Sequence, residues 1–342
     1  MTGSLDPLDR RTLLRLGLVG GIAALAGCSP STSGSAAPPT TAGPTSPSST
    51  AAAPSPSSSV ATSSAARLPA PAPWVAGAGE VRPDVKRRAL RALEAIGTWG
   101  VAGGGSQAAA SARLRALGVD PALIAQARPL LGTDRAAVTR VVDAQYGGIL
   151  ASSSSVLAVL DQWRLDADGQ VRASGTTFDV RLVAAAPRWR ITEFRPASPG
   201  PASSTLPASA RAVLASARVR LPYAGRADIA SGQVHTSVLG ALLALAQHYV
   251  VDVSVVRSGH PIFVFGTNRR SDHPRGRAVD IWALDGRRIV DPANRAFVER
   301  AMRVAATVGP YQVGGPVDLD GGGRQYFSDQ THQDHMHLGF LT

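Results

Sequence analysis

The chain has 342 residues, a net charge of +11 and a single cysteine, Cys28. One cysteine excludes an intrachain disulfide, so each folded part must be stable through its own apolar core. The positive charge is carried by scattered arginines, with Lys86 the only lysine. No basic stripe of the kind that tracks a phosphate backbone is present, and no nucleic-acid partner is expected.

Residues 1–28 read as an export signal. Arg10 and Arg11 give a charged start, and Leu13 to Ala26 is apolar apart from Arg15. That run is interrupted by glycines and is shorter than the roughly 20 apolar residues of a membrane-spanning helix. Leu25-Ala26-Gly27-Cys28 resembles the lipobox of bacterial lipoproteins. The resemblance implies cleavage before Cys28, lipidation of that cysteine and an extracytoplasmic protein anchored to the cell membrane. Arg10-Arg11-Thr12-Leu13-Leu14 also resembles a twin-arginine signal, with the general secretory route as the alternative. Residues 29–73 are almost entirely Ser, Thr, Pro, Ala and Gly. They hold too little apolar surface to offset backbone entropy and read as a disordered tether. For an exported chain, the arginines suit an anionic wall polymer or lipid headgroups.

Residues 74–200 are predicted to form a small α+β accessory domain. Leu90, Leu93 and Ile96 recur at helical spacing, and Asp120-Pro121 opens a second helical run in cap and first-turn positions. A further helix is predicted over 135–146. The period then changes to two. Ser155 to Leu165 reads as a strand, and Phe178, Val180 and Leu182 alternate with polar residues. Trp189 and Ile191 continue that pattern after a turn at Ala186-Pro187, giving an antiparallel hairpin. Nothing in this stretch forms a catalytic constellation, so a spacer or binding role is expected.

Ala197 to Pro207, rich in Pro, Ser and Ala, marks the boundary to a second α+β domain over 206–342. Helices are predicted at 208–217, 236–249 and 294–308. Strands are predicted at 251–257, 263–265, 278–283 and 335–340.

All seven histidines lie in this second domain, at 235, 248, 260, 273, 332, 335 and 337. Two groups carry chemistry: Ser271-Asp272-His273-Pro274-Arg275-Gly276-Arg277-Ala278-Val279-Asp280 and His332-Gln333-Asp334-His335-Met336-His337. Catalytic zinc takes three protein ligands and an open position, and mixed nitrogen and oxygen donors suit it. His273 and Asp280 can converge if a turn at Gly276 feeds a strand that presents Asp280. His335 and His337 share one face of a strand, so either can reach a metal there. His235 and His248 read as ordinary surface or core residues, whereas His260 and His332 neighbour the expected cleft. The glycines at 314–315 and 321–323 read as cleft loops, since no lysine-Ser/Thr follows them as in a phosphate cradle.

Ser-x-His-x-x-Gly-x-Ala-x-Asp followed near the C-terminus by His-x-His resembles the LAS superfamily of zinc peptidases. That group includes D-Ala-D-Ala carboxypeptidases and murein endopeptidases. The resemblance covers roughly residues 206–342 and implies a small antiparallel sheet with flanking helices. It also implies Zn2+ on His273, Asp280 and His337, and hydrolysis of peptidoglycan stem peptides or cross-links. Asp334 is the implied general base, with His335 orienting the intermediate; in other branches His335 itself is the base. One departure is visible. The family's substrate arginine after Ser-Gly-Tyr is missing, because the matching stretch is Arg257-Ser258-Gly259-His260-Pro261. Arg257, Arg269, Arg270 and Ser271 are therefore the substrate or oxyanion candidates. The alternative function is a zinc-fold lipoprotein that binds wall or a signalling partner without turnover.

Overall fold

Residues 67–342 are described by a computed structural model. The export signal, Cys28 and most of the expected tether lie outside the described residues. Val85, Ala89, Leu90, Leu93 and Ile96 bury one face of α1 (Pro83–Gly97), and Pro83 sits in its first turn, where the missing N–H costs nothing. Each fully buried Leu or Ile is worth roughly 1.5–3 kcal/mol, so packing rather than propensity holds this helix. Ser106 caps α2 (Gln107–Ala116) by accepting from Ala109 N. Asp120 caps a 3-10 helix at Pro121–Leu130 through Ala122 N.

Four strands follow: β1 (Ala136–Ile149), β2 (Ser153–Leu165), β3 (Val171–Val183) and β4 (Arg190–Pro196). They form an antiparallel meander in sequence order, which leaves β1 on an edge. The helix predicted over 135–146 is instead β1. Val138, Thr139, Val141 and Val142 are β-branched, and pairing with β2 along nearly the whole strand prevails over any helical spacing. The strands predicted around Ser155, Phe178 and Ile191 form in place.

The second half adds α3 (Ala208–Ala215), β5 (Val219–Arg220), α4 (Tyr223–Ala230), α5 (Thr236–His248), β6 (Val251–Val255), β7 (Ala278–Leu284), β8 (Arg287–Arg288), α6 (Arg295–Ala306), β9 (Gln312–Gly314), β10 (Tyr326–Phe327) and β11 (Met336–Gly339). The sheet order is β10-β9-β11-β7-β6-β5, with β8 pairing β7. Its centre is antiparallel, but β5 and β10 pair in parallel at the two edges, so the sheet is mixed rather than purely antiparallel. The strand expected at 263–265 is a loop with one bridge, Phe263 to Arg270. Ile262 and Phe263 are exposed, so no core supports an alternating face there. The fold is α+β.

Each half has its own apolar core, α1 and β1–β4 in one and α5, α6 and the second sheet in the other. Between them runs a polar seam. Lys86 and Gln145 from the first half meet Asp334, Asp280 and Ser254 from the second. Among the described residues no helix is long and apolar enough to cross a membrane.

Candidate metal centre

Asp280 lies in the middle of β7, and His337 on β11 stands directly opposite it in the antiparallel register. Directly opposed residues share a face with Cβ atoms about 5 Å apart, so both side chains reach one point. His273 arrives from a single 3-10 turn, His273–Arg275, that ends on Gly276 with φ 68°. A Cβ at Gly276 would overlap the Gln233 carbonyl oxygen, so both backbone conformation and space call for glycine there. The turn brings His273 Nε2 to 3.1 Å from Asp280 Oδ1 and 3.2 Å from His337 Nδ1. His337 Nδ1 is in turn 2.9 Å from Asp280 Oδ1.

These three atoms suit one small cation. Tetrahedral bonds of 2.0–2.1 Å place neighbouring donors about 3.3 Å apart, close to the three edges observed. His273 Nδ1 donates to Val256 O at 2.8 Å, which leaves its Nε2 lone pair facing the centre. His337 Nε2 meets the Gln312 amide at 3.2 Å. The facing atom is Gln312 Nε2; a half-turn of that amide sets its oxygen there instead, and His337 then carries its proton on Nε2 and offers Nδ1 as a donor atom. The charge states agree with this. Burial alone would raise the Asp280 carboxyl, but His273 and His335 beside it prevail and hold it well below the ordinary carboxylate range. Burial pushes the His337 imidazole down to about 4 despite Asp280. Metal binding needs such deprotonated donors.

His260, His273 and Asp280 also form a group able to hold a metal, with donor atoms within 4.8 Å of one another. The set with His337 is tighter. His260 stacks on His273 at 4.0 Å with planes only 17° apart, and its Nδ1 is taken up by Pro261 O at 3.0 Å. Parallel stacked rings place their nitrogens side by side and converge poorly on one ion. His260 thus walls the centre, and burial with His273 alongside keeps its imidazole well below the ordinary histidine value.

Asp334 is not a free base. Its Oδ2 accepts from Lys86 Nζ at 2.6 Å and from Tyr146 N at 3.2 Å, while Oδ1 lies 2.6 Å from His335 Nδ1. Burial would raise the Asp334 carboxyl, but the Lys86 ammonium and the His335 hydrogen bond hold it below its ordinary value. His335 Nε2, on the far side of the ring, points towards the centre, 3.7 Å from Asp280 Oδ1. Lys86 also pairs with Glu80 and donates to Ala144 O at 2.8 Å. Buried Asp143 and the half-buried Arg288 complete this group, and burial pushes the Asp143 carboxyl up to about 7. Gln145 Nε2 donates to Asp280 Oδ2 at 2.6 Å, and Ser254 Oγ donates to Gln145 Oε1. The first half, for which the sequence led to an expected spacer or binding role, thus also reaches the centre through Lys86 and Gln145. One signal was present: the sole lysine lies on the same helical stripe as Leu90 and Leu93.

The centre opens into a cleft of about 650 Å³, lined by Tyr146 to Ile149 of β1 and the following Leu150 as well as by His260, His332, His335 and His337. Of the arginines singled out from sequence, only Arg269 lines it, together with Arg324, which sequence reasoning missed. Arg257 is committed elsewhere: its guanidinium reaches Pro199 O at 2.6 Å and Asp228 at 3.7 Å. Arg270 is exposed beside the Phe263 bridge. Ser271 Oγ accepts from His273 N at 3.3 Å, so it braces the ligand turn. His332 lies at the cleft with Nδ1 2.8 Å from Asp329, whereas His235 precedes α5 and His248 ends it, both outside the cleft lining. Comparison with known proteins finds no family model, no curated protein and no solved structure that matches this chain.

Proposed function

We propose that the chain is a zinc peptidase of the LAS type that hydrolyses peptide bonds of peptidoglycan, as a D,D-carboxypeptidase or an endopeptidase. The observation that carries this reading is the convergence of His273 Nε2, Asp280 Oδ1 and His337 Nδ1 within 3.2 Å of one another beside an open cleft. Those three residues would hold the zinc, which supplies Lewis-acid polarisation of a carbonyl and acidification of a water. His335 is the general base in this reading. Its Nδ1 is tied to Asp334, so Nε2 takes a proton from the attacking water and returns it to the leaving amine. Asp334 holds that ring in one tautomer and balances its charge. Arg269 and Arg324 make the cleft attractive to a substrate carboxylate. The lipobox-like Cys28 and the signal before it support placement outside the cytoplasm, tethered to the membrane and close to the wall.

A second reading, a wall-binding lipoprotein without turnover, draws on the Lys86 pair that keeps Asp334 from serving as a free base. Digestion of muropeptides followed by mass spectrometry, with zinc content measured beside an Asp280→Ala variant, separates the two. Stoichiometric zinc, lost in the variant, with release of D-Ala or of a cross-link supports the peptidase and names its bond. Zinc without any product supports the binding protein, and a protein without zinc overturns both.

A further inference from the structure

We propose that Lys86, from the first half of the chain, is a positioning residue of the catalytic site: its ammonium pins Asp334 so that Asp334 fixes the His335 ring with Nε2 directed at the metal centre. The inference rests on the peptidase reading for the reaction, but the geometry stands apart from it. Lys86 Nζ has three oxygen partners, Glu80 Oε2, Ala144 O and Asp334 Oδ2, which match its three protons. None of its surface reaches solvent. The Lys86 contact and Tyr146 N occupy Asp334 Oδ2 from two sides, which leaves Oδ1 to face His335 Nδ1.

A purely structural role explains this poorly. Lys86 lies among Val85, Ala89 and Leu90 on the buried stripe of α1, where a leucine would pack without desolvating a charge. Buried ion pairs seldom add stability over an apolar side chain of similar volume. What the lysine adds is a fixed cation 2.6 Å from the carboxylate that orients His335. The second half alone therefore holds the metal donors and Asp334 but not the cation that pins Asp334.

Removing the amine alone would leave Glu80, Asp143 and Asp334 clustered with Arg288 as their one remaining nearby cation, so the test uses a charge-balanced pair, Lys86→Met with Glu80→Gln, in the full-length protein. The first readout needs no turnover: the Nδ1 proton of 15N-labelled His335, which is expected to exchange slowly with water in the unmodified protein. In the double variant this proton should exchange rapidly, while one metal still binds per chain. Turnover should fall roughly 10- to 100-fold, the size of effect typical of losing an outer hydrogen-bond partner around a metal site, with KM little changed. Rapid exchange of the His335 proton in the unmodified protein would overturn the proposal whether or not the variant folds. A folded double variant that keeps both the slow proton and full turnover would do the same. If the unmodified protein cleaves no peptidoglycan peptide, the peptidase reading fails while the His335 proton still decides the role of Lys86.

Discussion

Gln145 Nε2 lies 2.6 Å from Asp280 Oδ2, so an edge strand of the first sheet holds the carboxylate that the second sheet presents to the metal centre. Oxygen Oδ1 is thereby left facing His273 Nε2 and His337 Nδ1, where a metal would be held, and the carboxylate plane is set by a group outside its own sheet. Gln145→Leu is expected to weaken zinc binding roughly 10- to 100-fold, as loss of such an outer hydrogen bond commonly does. Competition with a chromophoric chelator measures this directly, and an unchanged affinity would show that Asp280 is oriented by its strand alone.

Asp143 gives the fold a pH dependence of defined sign. Burial raises its carboxyl to about 7, against the pull of Lys86 and Arg288 and with Asp334 and Glu80 nearby. A group bound to its proton more tightly in the folded state stabilises the fold below its unfolded pKa near 4. That contribution is lost as pH rises through the folded value near 7. A shift of about three units corresponds to at most roughly 4 kcal/mol. Asp143→Asn should therefore be more stable than the unmodified protein at pH 8, with the gap closing towards pH 4, as followed by urea unfolding. A difference that does not vary with pH would refute the argument.

Gly276→Ala tests the ligand turn. The substitution demands a left-handed conformation of alanine and an overlap with the Gln233 carbonyl. A cost of roughly 1–3 kcal/mol follows from such a strained position, together with loss of zinc as His273 moves off the centre. Wild-type stability with full zinc would mean that the turn can form without its glycine.

The arginines divide by location. Arg269→Gln and Arg324→Gln should each raise KM roughly tenfold with kcat little altered, the size of one charge-assisted hydrogen bond to substrate. Arg257→Gln should instead lower the melting temperature and leave KM alone, because Arg257 ties the loop after β6 to Asp228 and Pro199. A raised KM in Arg257→Gln with unchanged stability would reverse the assignment.

How far the site was legible in the sequence follows from the range of its interactions. His273, Gly276 and Asp280 are bound by one turn and one strand start, and His335 stands one residue before β11 with His337 on it, so short spacing carried them. The seam was not legible, because Lys86 and Asp334 are separated by 248 positions and no local period links them. The same limit explains why Asp334 reads as a free base until α1 is seen packed against it. β1 was misread because Ala, Gln and Arg among its valines carry helical preference, and only the pairing with β2 overrides it. Arg324 lies between glycines and a two-residue strand, where no period exists to place it.

The solitary lysine has a practical consequence for following how the two halves part. With no surface on Lys86 reaching water, an amine-directed acylating reagent can modify that side chain only while the seam is open. The rate of its acylation, read on the peptide that carries Lys86 and so apart from the chain's α-amine, is thus a clock for the breathing of the seam. Substrates or wall fragments that clamp the cleft between β1 and the histidine loops would slow that clock without any engineered label.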